Sequence, residues 1–208
     1  MKHCKTTGKK SIKAVLFDFD GTLTLPGLID FMAIKKEIGC PASIPILEFI
    51  ATLASEPVRR AANAVLERYE DAAAAAARPN EGAEEAVEHL REMGFALGII
   101  TRNRLKSVMI SMGCFRRIGA GDFKVIVTRE NSGKLKPHPD GVHYAARKLT
   151  VAPAEMIVVG DYIFDIQAGQ RAGALTAFIV SGHTAKWPEP PATWNIKRLA
   201  ELKRIIAR

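Results

Sequence analysis

The chain divides by the rhythm of its apolar positions. Val15-Leu16-Phe17 is an apolar run without a polar face, closed soon after by Gly21, and it predicts a buried strand over Lys13–Asp18 at the centre of a parallel sheet. From Leu28 through Ile29 and Met32 to Glu37, apolar and charged positions alternate with a helical period until Gly39, Pro41 and Pro45 interrupt them. A second helical tract opens near Ile46 with Leu47, Phe49, Ile50 and Leu53. It resumes past Pro57 with Val58, Ala62, Val65, Leu66 and Tyr69, and ends in the alanine-rich run Asp71–Ala77, a composition that favours helix. Residues 25–78 therefore read as a small helical insertion between the first strand and the rest of the sheet.

From Glu81 helices and apolar strands alternate. A helix over Ala83–Met93 stops at Gly94, and a strand over Phe95–Ile100 runs into Thr101-Arg102-Asn103. A helix over Leu105–Met112 stops at Gly113, and Phe123–Thr128 is the third strand. The loop Gly133-Lys134-Leu135-Lys136-Pro137 leads to a helix from about Asp140 to Leu149. Met156–Gly160 is a strand ending at Asp161, Phe164–Ala172 a helix, and Leu175–Val180 a fifth strand. Asn195 is placed to cap a closing helix with the apolar face Ile196, Leu199, Leu202, Ile205 and Ile206. Strands spaced by crossover helices give an α/β fold, a parallel sheet covered on both sides, with the core formed by residues 1–24 and 79–208.

Composition narrows the setting. The 208 residues are 48% hydrophobic, enough for one domain with an insertion. No apolar run approaches the roughly 18 residues of a membrane span, and the start has no apolar signal-peptide segment, so a cytoplasmic protein is expected. Cys4, Cys40 and Cys114 lack metal-ligand spacing and read as reduced thiols. The formal charge of +8 gathers at the ends, in Lys2, Lys5, Lys9, Lys10 and Lys13 and in Lys197, Arg198, Lys203, Arg204 and Arg208. Without interleaved aromatic residues this is a solvated surface, and nucleic acid is not the expected partner.

The polar residues at the strand ends carry the candidate chemistry. Asp18 follows strand one, Thr101 strand two and Asp161 strand four, and Lys136 lies after strand three; open parallel sheets bind ligands at this edge. Asp18 and Asp20 repel unless a cation or a shared proton relieves them. A phosphate monoester set there needs its charge neutralised before a carboxylate can attack phosphorus. Mg2+ meets that need, with Asp18 and Asp161 as carboxylate ligands and Asp165 in support. Lys136 supplies a fixed positive charge; Lys134 is the competing candidate, with Lys136 preferred because it directly precedes Pro137. The Thr101 hydroxyl, with backbone N–H groups around Arg102 and Asn103, can hold phosphoryl oxygens, although Arg102 and Asn103 equally could simply end the strand. Asp20 is left to protonate the leaving alcohol and to deprotonate the attacking water. His138 and His143, five residues apart, do not share a helical face and read as loop and helix-surface residues.

These residues resemble the four motifs of the haloacid dehalogenase superfamily: Asp18-Phe19-Asp20-Gly21-Thr22-Leu23-Thr24, Ile100-Thr101-Arg102-Asn103, Lys136-Pro137-His138-Pro139 and Gly160-Asp161-Tyr162-Ile163-Phe164-Asp165, in the family's order. The resemblance implies a Rossmann-like core, Mg2+, Asp18 as nucleophile, Asp20 as general acid and base, and metal ligation by Asp18, Asp161 and the Asp20 backbone carbonyl. The insertion resembles the family's small helical cap, and the nearest likeness within the family is to phosphoglycolate phosphatase-like hydrolases. Tyr162 departs from the small hydroxyl residue of many relatives, and the insertion is shorter and richer in alanine than many such caps. The expected activity is hydrolysis of a small phosphorylated metabolite, by a monomer or homodimer, through an aspartyl-phosphate. A sugar-phosphate phosphomutase using the same intermediate is the alternative. A non-catalytic or nucleic-acid-directed protein of this fold is a second. A dehalogenase would leave Asp20 without a purpose, and a phosphonatase would need Lys35 or Lys36 for a Schiff base.

Overall fold

A computed structural model describes residues 11–180 and 189–206. The lysines at positions 2, 5, 9 and 10, Cys4 and Arg208, singled out above, lie outside the described residues. Six strands form one parallel sheet in the order β3-β2-β1-β4-β5-β6: β1 (Ala14–Phe17), β2 (Ala96–Ile100), β3 (Val125–Val127), β4 (Met156–Gly160), β5 (Leu175–Ile179) and β6 (Trp194–Ile196). β1 lies between β2 and β4, with Leu16 level with Gly98 on one side and Val158 on the other. This is the Rossmann-like α/β architecture expected from the alternation of strands and helices.

Because side chains alternate across a strand, β1 feeds two cores. Val15 and Phe17 pack with Leu97, Ile99, Ile157 and Val159 under α4 (Ala83–Glu92) and α5 (Leu105–Met112). Ala14 and Leu16 pack with Ile100 and Val158 under α6 (Asp140–Leu149) and α7 (Ile163–Ala172). All four β1 side chains are fully buried, which explains a run with no polar face. Full burial of a side chain the size of Phe17 stabilises the fold by about 1.5–3 kcal/mol relative to exposure.

Between β1 and α4 lie three helices: α1 (Phe31–Ile38), α2 (Ile46–Thr52) and α3 (Glu56–Ala75). They close over an apolar cluster of their own, Ile34, Ile46, Ile50, Ala62 and Leu66. Leu28 and Ile29 precede the first helix, because the Asp30 carboxylate accepts from the Ala33 N–H at 2.9 Å and starts it at Phe31. Pro57 sits in the first turn of α3, where its missing N–H costs nothing. The two ends of the insertion are joined at a stem. Leu25 N donates to Arg78 O (2.9 Å), Asn80 N to Leu23 O (2.8 Å), and the Asn80 amide to the carbonyls of Thr22 (2.9 Å) and Gly21 (3.3 Å).

The closing segment corrects the sequence reading. Asn195 is no helix cap: it sits exposed in β6, whose partner is β5, and Ile196 is a buried strand residue. The helical turn starts later, at Leu199, where the Glu201 carboxylate accepts from the N–H groups of Lys197 (2.9 Å) and Arg198 (3.1 Å); α8 spans Leu202–Ile206. The apolar spacing 196/199/202 fits a helix, but the open edge of β5 offers hydrogen bonds that a helix start would forgo, as Val180 N to Ile196 O (2.8 Å) attests. Cys40 and Cys114 are free thiols. Among the described residues no helix is long and apolar enough to cross a membrane.

Candidate active site

The carboxyl edge of the sheet gathers the strand-end residues. Asp18 directly follows β1, Asp161 follows β4, and Asp165 stands in the first turn of α7. Into this acidic corner the loop between β3 and α6 delivers Lys136. Its ammonium, 5% exposed, donates to Asp18 Oδ1 (2.6 Å), Asp165 Oδ1 (2.6 Å) and the carbonyl of Ile100 (2.9 Å). Lys134 is exposed and meets the fold through its backbone N–H, which donates to Asp140 (3.1 Å). Carboxylate oxygens of Asp18, Asp161 and Asp165 all lie within 4.8 Å of one another, a spacing at which three hard oxygen donors can share one cation. Two glycines leave the room. Gly21 has φ +83°, and a Cβ there would overlap the Asp161 carboxylate; a Cβ on Gly160 would overlap that of Asp165.

The electrostatics follow from burial. Loss of water pushes Asp18 well above the usual carboxylate range, and the Lys136 charge offsets only part of this. Burial pulls Lys136 downward, but Asp165 and Asp18 outweigh it and hold the ammonium above its ordinary value. Asp20 keeps one edge toward the cavity, yet its surroundings push it up to about 6, chiefly by desolvation.

The segment after β2 divides its tasks residue by residue. Thr101 is buried and its hydroxyl accepts from the Asn103 N–H (3.1 Å). The Asn103 amide donates to Asp20 Oδ2 at 2.6 Å. The Arg102 side chain is engaged by protein: Nη2 donates to both carboxylate oxygens of Glu48 on α2 (2.6 and 2.8 Å), Nη1 donates to Lys136 O (2.9 Å), and the guanidinium lies 5.1 Å from the Phe164 ring centroid. Tyr162 is exposed and packs edge-on against Phe164. His138, in the loop, lies 3.0 Å from Asp140 at the start of α6, and His143 is on α6; neither lines the cavity or belongs to the carboxylate cluster.

A cavity of about 450 Å³ opens above these groups, walled on the insertion side by Leu28, Ile29, Ile46, Leu47 and Leu66. Two residues that join the inserted helices to the sheet, Glu48 and Glu70, carried no role in the sequence reading. Glu70 had a visible signal. Ala62, Leu66, Glu70 and Ala73 share the buried face of α3 at spacings of four, four and three, so a carboxylate occupies a core position of an otherwise apolar stripe.

Residues 15–179 match the family of haloacid dehalogenase-like hydrolases. The chain belongs to that family. This hydrolase is 36% identical over 203 residues to an uncharacterized hydrolase of Saccharomyces cerevisiae, a match covering 96% of this chain and 93% of the yeast protein. It is 28% identical over 216 residues to an N-acetylmuramic acid 6-phosphate phosphatase of Pseudomonas aeruginosa, covering 94% and 93%. Its fold matches the crystal structure of a predicted phosphoglycolate phosphatase from Haemophilus somnus with a TM-score of 0.72 at 21% identity, covering 93% of this chain and 97% of that one.

Proposed function

We propose that this hydrolase cleaves a small phosphate monoester in two steps through an aspartyl-phosphate on Asp18. The observation that carries the reading is Lys136 bridging Asp18 and Asp165 at 2.6 Å each, with Asp161 completing a carboxylate trio. The donor set suits a hard divalent cation. Asp18, Asp161 and Asp165, with the Asp20 carbonyl that the family resemblance adds, would hold Mg2+, which when bound supplies the charge that keeps Asp18 ionised beside a dianionic ester.

The chain's own groups do the rest. A carboxylate oxygen of Asp18 attacks phosphorus as the ester P–O bond breaks, and Asp20, protonated at the start, gives its proton to the departing alkoxide. Asp20 then takes a proton from water, the resulting hydroxide attacks the acyl-phosphate, and inorganic phosphate leaves as the Asp18 carboxylate is restored. A carboxyl group poised near pKa 6 suits both halves of this exchange. Lys136 balances charge at Asp18, and Thr101 with the Arg102 N–H cradles phosphoryl oxygens. The helices α1–α3 act as the cap, whose apolar wall selects the alcohol; the likeness to phosphoglycolate phosphatase-like hydrolases makes short phosphorylated acids the first substrates to try.

Asp18→Asn is expected to abolish release of inorganic phosphate from phosphoglycolate and from p-nitrophenyl phosphate while leaving the circular dichroism spectrum unchanged. Retained turnover would overturn the assignment. Consumption of a phosphate ester without release of inorganic phosphate would point instead to a mutase, which returns the phosphoryl group to another hydroxyl.

A further inference from the structure

One buried carboxylate beside the cavity takes no part in the chemistry above. Glu70, on α3, is 3% exposed, and both of its oxygens are filled. Oε1 accepts from Arg129 Nη1 (2.6 Å), and Oε2 from Arg129 Nη2 (3.2 Å) and Arg104 Nε (3.2 Å). Glu70 is therefore not available to substrate, although it lines the cavity wall.

The two arginines it gathers flank a single residue. Arg104 is joined to Asn103 through the chain, and the backbone N–H of Arg129 donates to the Asn103 carbonyl (3.2 Å). Asn103 in turn holds Asp20 at 2.6 Å. Arg104 also reaches the Glu67 carboxylate (2.8 Å) and Asp71 (2.8 Å), so α3 grips this loop at several points. Docking a helix does not need a buried charge: apolar contacts do so without the desolvation cost that burial of a carboxylate brings. A forked guanidinium contact does supply fixed direction.

Taking Asp20 as the acid and base, as proposed above, we infer that Glu70 is a positioning residue: by clamping Arg104 and Arg129 it fixes Asn103, and thereby aims the Asp20 carboxyl at the leaving oxygen.

The test uses a series of phosphate monoesters from p-nitrophenyl phosphate to simple alkyl phosphates, with kcat/KM measured for the full chain in Mg2+. This constant reports events up to the first irreversible step, where a poor leaving group needs the acid most. Glu70→Gln is expected to lower kcat/KM for alkyl esters by about 10- to 100-fold, part of the roughly 10²–10⁴ that a positioned acid contributes, and to change p-nitrophenyl phosphate by less than about 3-fold. The plot against leaving-group pKa is expected to steepen, and Asp20→Asn is expected to steepen it in the same direction. An equal fall across the series would mean that Glu70 only holds the fold together, and would overturn the inference. Arg129→Lys, which keeps the charge and removes the fork, carries the same expectation if Glu70→Gln does not fold. Failure of the wild type to hydrolyse any ester would sink the phosphatase reading itself, a separate result.

Discussion

Replacing Lys136 by Met removes the cation between Asp18 and Asp165 while keeping most of the side-chain volume. The lysine donates three hydrogen bonds, two of them to carboxylates at 2.6 Å, from a position 5% exposed. Breaking a buried pair by deleting one partner costs about 3–5 kcal/mol, because the other charge is left unpaired. For a chain of this size each kcal/mol moves Tm by about 2–4 °C, so the metal-free variant should melt roughly 6–20 °C below the wild type. The loss depends on pH with a definite sign. Burial holds Asp18 above the ordinary carboxylate range, so its contribution is most favourable when protonated and is lost as pH rises through the raised value. Removing the lysine enlarges that loss, so the deficit should be greatest near neutrality and shrink as pH is lowered. Urea titrations in chelator at several pH values measure this, with phosphate release as the parallel activity assay. Lys134→Met, at an exposed position, is the control and should stay within about 0.5 kcal/mol. A Lys136→Met protein within about 1 kcal/mol of wild type at neutral pH would refute the claim that an unpaired buried charge dominates this site.

Three further outcomes are expected. Gly21→Ala puts a Cβ against the Asp161 carboxylate at φ +83° and should cost about 1–3 kcal/mol in thermal melting, with phosphate release reduced at subsaturating Mg2+. Asn195→Ala should leave stability within about 0.5 kcal/mol, whereas Ile196→Ala should cost about 2–5 kcal/mol, since the isoleucine and not the asparagine is buried in β6. Chelation should abolish phosphate release and added Mg2+ restore it; activity persisting in excess chelator would count against the metal role given to the carboxylate trio.

The sheet was legible because its strands are buried on both faces, and short continuous apolar runs such as Val15–Phe17 and Met156–Val159, closed by Gly21 and Gly160, fit such strands. The strand-end residues were legible for a related reason: a carboxylate or threonine directly after such a run can only lie at the carboxyl edge. β6 was not, because a three-residue edge strand buries Ile196 alone, and one buried position has no period. Glu48 and Glu70 were missed for another cause. Their partners Arg102, Arg104 and Arg129 are more than thirty residues away, and local patterning does not reveal which distant charge a carboxylate will meet. The same limit applied to the Arg102 side chain, whose guanidinium is committed to Glu48, fifty-four residues away in sequence.

The stem at Leu25–Arg78 and Leu23–Asn80 has a consequence for the length of the inserted tract. Where the inserted tract departs and where it returns are hydrogen-bonded neighbours, and Asn80 ties that junction to the loop bearing the paired aspartates. The entropy of closing a loop across a fixed gap rises only slowly with its length. A longer or shorter tract could span the same two points at little entropic cost, provided that the contacts of Glu48 and Glu70 with Arg102, Arg104 and Arg129 are kept. The stem therefore fixes where the tract is anchored without fixing how long it must be.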